Sequence, residues 1–203
     1  MKKFYAVLLS MLLFVSALIP AVETEAAGKS LAASEKAFFK EMKQFDYKGM
    51  KRYVKKWDKS VSDVEMMYAL PNGRKYFKKC GSKMQIKILS TKVKGKKADV
   101  KVKFRYMNGE DFIINFYQVV LDYLIKGKLD LEHMSDQQIL KTFNAMLGQS
   151  MKGVKYKKYR TQTLTIRFVK TKSCWKIEKA SGKLINVMLA NFETNMEKLE
   201  KAK

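Results

Sequence analysis

Acid–base chemistry needs an imidazole or a carboxylate held in a shaped site, and this chain offers few candidates. Its one histidine, His133, sits in a polar stretch beside Glu132, where nothing frames a reacting group, so it reads as an exposed loop residue. Asp99 alternates out of an apolar strand face and should point to solvent. Asp111 and Asp122 flank a strongly apolar segment, the first placed to complement a helix N-terminus and the second on an exposed edge. One histidine and two distant cysteines cannot complete a zinc tetrahedron, and no carboxylate-rich loop has calcium spacing. The chain also lacks a nucleophile elbow, a phosphate-cradling glycine loop and a dinucleotide fingerprint. The expectation is a non-enzyme with no cofactor and no metal.

Cys80 and Cys174 are the only sulfhydryls. A bridge between them would constrain the unfolded chain by about 4–5 kcal/mol in the chain-entropy picture. Against it, Cys174 precedes an inward-facing Trp175, so strand alternation turns its side chain away from the core. A disulfide and two free thiols both remain open. A catalytic thiol is disfavoured because no histidine partners either one.

The 203 residues carry 42 Lys+Arg against 19 Asp+Glu, a formal charge of +23. Only five of the basic residues are arginines: Arg52, Arg74, Arg105, Arg160 and Arg167. Specific phosphate and base-edge recognition favours the planar guanidinium fork, so a lysine excess suits diffuse attraction to a polyanion or plain solvation. Lys101, Lys103 and Arg105 line one strand face, and Arg167 and Lys176 should join them if the two hairpins pair. Lys51, Arg52, Lys55 and Lys56 form a second cluster, and Lys152 to Lys158 a third. Tyr156 and Tyr159, interleaved with Lys155, Lys157, Lys158 and Arg160, have the composition of a single-strand stacking surface.

The first residues read as an address. Lys2 and Lys3 precede an apolar run from Phe4 to Ile19, then Pro20, and Thr24-Glu25-Ala26 has small residues at the −3 and −1 positions. That is the layout of a secretory signal peptide, residues 1–26, cleaved near Ala26. The apolar run falls short of the roughly 20 residues that span a bilayer. An exported mature chain, 27–203, follows, secreted or associated with the cell envelope. Export disfavours nucleic acid as the partner and leaves an anionic cell-wall polymer or membrane surface.

Hydrophobic periodicity supplies the elements. Ser30 caps a helix striped by Leu31, Phe38, Met42 and Phe45, and Asp46 caps a second striped by Met50, Tyr53, Val54 and Trp57. Ser62 and Glu65 form a capping box for a helix over Val64 to Ala69, halted by Pro71-Asn72-Gly73, and another piece runs from Arg74 to a left-handed cap at Gly81. From Met84 the period becomes two, slips at Leu89 as a bulge would, turns at Lys94-Gly95-Lys96 and returns through Ala98 to Tyr106. Phe112 to Ile125 is apolar nearly all round and reads as a buried helix. Ser135 and Gln138 box the next helix, striped by Ile139, Leu140, Phe143 and Leu147. Strands around Leu164–Phe168 and Trp175–Ile177 follow, and Ile185, Leu189, Phe192, Met196 and Leu199 predict one amphipathic closing helix over 181–202. The length suits one α+β domain with N-terminal helices packed on a curved antiparallel sheet of two hairpins, inserted helices between them, and the C-terminal helix.

The segment Ala37-Phe38-Phe39-Lys40, Phe45-Asp46-Tyr47, Met50-Lys51-Arg52-Tyr53 resembles the opening of nuclear-transport-factor-two-like domains. Lys92 to Val100 and Trp175-Lys176-Ile177 are similar to the first hairpin and last strand of small exported members from Gram-positive bacteria. The resemblance, over roughly residues 30–180, implies a cone with a sheet wrapped over the N-terminal helices. It also implies a pocket position inside the cone, whose sheet side Phe104, Tyr106, Phe168 and Trp175 would line; the favoured role of those four rings is core packing against the helices. The long helices between the hairpins and the closing helix depart from the family and are placed to plug that pocket. The expected function is a non-catalytic binding or scaffold module at the envelope with Lys101, Lys103, Arg105, Arg167 and Lys176 toward anionic polymer or lipid; the alternative is a small-molecule carrier using the cone.

Overall fold

The computed structural model describes residues 30–130 and 133–201; the segment read as a signal peptide lies outside them. The chain runs α1 (Leu31–Gln44), α2 (Tyr47–Lys51), α3 (Val61–Ala69), α4 (Pro71–Ser82), β1 (Gln85–Lys94), β2 (Lys97–Met107), α5 (Glu110–Ile125), α6 (Asp136–Ser150), β3 (Tyr159–Lys170), β4 (Trp175–Ile177), α7 (Gly182–Met188) and α8 (Phe192–Lys201). The strands form one antiparallel sheet in the order β1-β2-β3-β4, with helices packed against it, an α+β fold.

The sheet is built as the alternation predicts. Ala98, Val100, Val102, Phe104 and Tyr106 are buried while Lys101, Lys103 and Arg105 are exposed. β1 pairs with β2 through Ile86–Phe104 and Ile88–Val102, then the register shifts at Leu89. Gly95 takes φ +57 in the hairpin turn, a conformation that costs glycine little. The two hairpins pair along the whole of β2 and β3, from Lys97–Val169 to Met107–Tyr159. β3 therefore starts at Tyr159, earlier than the apolar alternation shows.

α1 and α6 start where their caps predict. Ser30 Oγ accepts from Ala33 N at 3.2 Å, and Ser135 with Gln138 forms the capping box. Asp46 likewise accepts from Gly49 N at 3.1 Å, but the helix it opens ends at Lys51. Val54 and Trp57, expected on that helix, instead bridge in parallel to Ile177 and Ala180 and close the β4 edge. β4 pairs with only three residues of β3, so this seam supplies hydrogen bonds the strand would otherwise leave open on its other side.

Four further expectations change. Ser62 does not box α3: its hydroxyl donates to the Lys59 carbonyl, and Glu65 accepts from the Tyr47 hydroxyl. Pro71 does not halt the chain but opens α4 at its first turn, where a missing N–H costs nothing, after an extended Leu70. Gly81 lies inside α4 rather than in a left-handed cap, and a Cβ there would stand 2.4 Å from the Lys43 carbonyl oxygen; the glycine lets α1 and α4 touch backbone to backbone. The closing helix is two helices, because Ala190 and Asn191 take φ 51 and 62. Asparagine tolerates that conformation, and Tyr106 holds it by donating to Asn191 Oδ1 at 2.8 Å inside the core.

α5 is not buried all round. Phe112, Ile113, Phe116 and Val120 face the core, while Ile114, Leu121, Leu124 and Ile125 are exposed. An apolar sequence without a polar face cannot reveal which side a neighbour covers. No helix among the described residues is long and apolar enough to cross a membrane.

Candidate polyanion-binding face

Residues directly opposite across paired strands share a sheet face, so the register settles which cations stand together. Lys87, Lys92 and Lys94 of β1 lie opposite Lys103, Asp99 and Lys97 of β2. Asp99, Lys101, Lys103 and Arg105 in turn lie opposite Arg167, Thr165, Thr163 and Thr161 of β3. Lys176 joins from β4 beside Val169. All five predicted residues, Lys101, Lys103, Arg105, Arg167 and Lys176, thus occupy the solvent face opposite the core.

They are not equivalent. Arg167 is held by Asp99, with Nε and Nη2 at 2.7 and 3.0 Å from its two carboxylate oxygens. That guanidinium keeps the Asp99 carboxyl below its ordinary range, with Lys94 and Lys92 contributing. Lys97 meets Glu178 at 4.0 Å. Lys176 is half-buried beside its neighbours rather than free in solvent. Arg105 lies over the Tyr159 ring, 3.8 Å from its centroid, which leaves its charge intact. Among the described residues no ion pair reaches Lys87, Lys101, Lys103 or Arg105. Those four form the uncompensated part of the face, while Lys92 stands opposite Asp99. Lys87 and Lys92 were missed by sequence reasoning because β1 carries lysines on a strand whose parity slips at the bulge.

The tyrosines of the basic run are engaged elsewhere. Tyr156 is buried at φ 50, its ring covered by Lys79 at 3.9 Å, and Tyr159 carries Arg105. The Tyr156 ring is closed to a base, and Arg105 occupies one face of the half-buried Tyr159 ring. Lys158 is bound by Asp111 at 2.8 Å and Glu110 at 3.4 Å across the start of α5.

The expected pocket-lining rings pack into the core. Phe104 and Phe168 have no exposed surface, and Tyr106 and Trp175 keep 2% and 7%. Phe39 meets Phe104 edge-on at 6.0 Å, and Trp175 N donates to Ser34 Oγ, also buried. An open groove of about 540 Å³ lies elsewhere and includes none of these four.

Cys80 and Cys174 are free thiols in separate buried settings, so the bridge is not formed. Cys174, expected to turn outward, is buried against Thr171 and Ser173. Burial pushes the Cys80 thiol up to about 12, against the pull of a hydrogen bond with Tyr76. His133 is exposed, its Nδ1 2.8 Å from Asp130 Oδ2. Asp122 meets Lys126 at 2.7 Å on the surface of α5. Among the described residues no group of acids, thiols and imidazoles could hold a metal ion.

No family model, no curated protein and no solved structure matches this chain.

Proposed function

We propose that this protein is an exported, non-catalytic module of the bacterial cell envelope that binds an anionic, phosphate-bearing polymer through the solvent face of its sheet. The observation that carries the reading is the row of cations without counter-acids: Lys87 opposite Lys103, flanked by Lys101 and Arg105. Like charges directly opposite across strands cost stability, and a polyanion laid along the rows would relieve that cost. Threonines 161, 163 and 165 beside them add neutral hydroxyls suited to phosphate oxygens. Export is supported by the signal-peptide layout of residues 1–26. Membership of the nuclear-transport-factor-two-like class is supported by N-terminal helices set against an antiparallel sheet whose inner face carries Phe104 and Phe168. A carrier using the cone is less favoured, since its rings are taken up in the core.

The test is retention on immobilised poly(glycerol phosphate) across a salt series. Retention falls steeply between about 50 and 200 mM salt if several lysines release counterions. The double variant Lys101→Glu with Lys103→Glu abolishes retention, while Lys55→Glu with Lys56→Glu, equal in charge but elsewhere, leaves most of it. Equal losses from both pairs, or retention indifferent to salt, would remove the proposal.

A further inference from the structure

A second cationic site lies on the other side of β1, and its composition differs from the sheet face. Lys36, Lys40 and Lys43 recur at four- and three-residue steps along α1 and share one exposed face of it. Lys78 approaches from α4. These lysines rim the open groove of about 540 Å³, whose floor is Phe39, Ile86 and Ile88. Ile86 and Ile88 belong to the inner face of β1, opposite Phe104 and Val102, so the groove is where the inner sheet face runs out from under α1. Ile88 remains 42% exposed, while Phe39 is fixed by the Phe104 ring. The backbone contact at Gly81 fixes α4 against α1 and so places Lys78 on the same rim as Lys43.

Two features point to the occupant. The floor is predominantly apolar and the volume falls within the roughly 300–1,000 Å³ of small-molecule sites. The rim carries four cations, and among the described residues none of them has an ion-pair partner. Lysines four apart on one helix face repel, so an anion between them relieves the helix as well as filling the groove. A bare polyanion would leave the apolar floor wet, and a neutral hydrocarbon would leave the rim unmatched.

We propose that the groove between α1, α4 and the inner face of β1 binds a single-chain amphiphile with a phosphate head, the alkyl chain on Phe39, Ile86 and Ile88 and the head among Lys36, Lys40, Lys43 and Lys78. This does not rest on the sheet-face reading, because Lys101 and Lys103 point to the opposite side of the sheet.

Titration calorimetry of the purified chain with dodecyl phosphate, below its micelle concentration, tests it. One molecule binds per chain, and dodecyl maltoside (same tail, neutral head) and glycerol phosphate (no tail) bind at least about tenfold more weakly. Ile88→Asp and Lys40→Glu, both at exposed positions, each lower the affinity about tenfold while the melting curve holds. Lys101→Glu with Lys103→Glu leaves it unchanged. Equal binding of either comparator, indifference to both groove variants, or loss only in the sheet-face variant would overturn the proposal; the last of these would leave the sheet-face reading standing.

Discussion

The guanidinium of Arg167 grips both carboxylate oxygens of Asp99 from the adjacent strand, at 2.7 and 3.0 Å. This pair divides the basic sheet face into a neutralised end and an uncompensated one. Asp99→Asn removes the charge that occupies Arg167 and frees it for a polyanion. The variant should bind poly(glycerol phosphate) more tightly, with a salt slope steeper by about one released counterion. Retention measured at several ionic strengths checks this; a slope identical to the parent would show that Arg167 does not join the face.

Gly81 is where α4 meets the backbone of α1, and its missing Cβ is a requirement of that contact. Gly81→Ala should cost about 2 kcal/mol despite the better helix propensity of alanine, because the obstacle is a carbonyl rather than a movable side chain. Urea unfolding measures it, and an alanine variant as stable as the parent contradicts the close approach.

Asp63 of α3 and Glu193 of α8 are neighbouring, partly buried carboxyls. Burial first, then the charge of Asp63, raises Glu193 to about 7 from an ordinary 4.5. A raised carboxyl binds its proton more tightly when folded, so its stabilising contribution is complete below about pH 4.5 and is lost as pH rises through about 7. Glu193→Gln should remove this slope and gain about 1 kcal/mol over the parent at pH 8, a figure reduced for partial exposure. Unfolding curves at pH 5 and pH 8 for both chains decide it: parallel pH dependence would mean the pair does not share a proton.

Both thiols are buried and Cys80 is held protonated. Neither should react with a disulfide reagent at pH 8 over minutes in the folded protein, and both should react at once in denaturant. Immediate reaction of one equivalent in the native state would place a thiol at the surface.

Periodicity made β2 and the caps of α1 and α6 legible, because each depends on residues close in sequence. Ser30 and Ser135 need only the next turn of helix, and Ala98 to Tyr106 need only a dry side and a wet side. What remained hidden depends on distant partners. Val54 and Trp57 have the spacing of a helix stripe, yet their chain neighbours Tyr53, Lys55, Lys56 and Asp58 find hydrogen bonds at Ile177 and Ala180 that override it. Asn191 breaks a continuous apolar repeat because Tyr106 and Asn108, distant in sequence, hold its side chain. The basic face was foreseen from β2 and β3, but its pairing of Asp99 with Arg167 required the cross-strand register, and the α1 groove required knowing which face of β1 is left uncovered.

The seam that closes β4 also dictates an order of events. Lys55 N donates to Ile177 O at 2.9 Å and Ile177 N to Tyr53 O at 2.7 Å, while Trp175 reaches Ser34, 141 positions away. During synthesis this seam must therefore wait until the last quarter of the chain arrives. Such long loop closures slow the final step, and a chain cut short of Trp175 keeps the contact of α1 with α4 but lacks the strand that completes this seam.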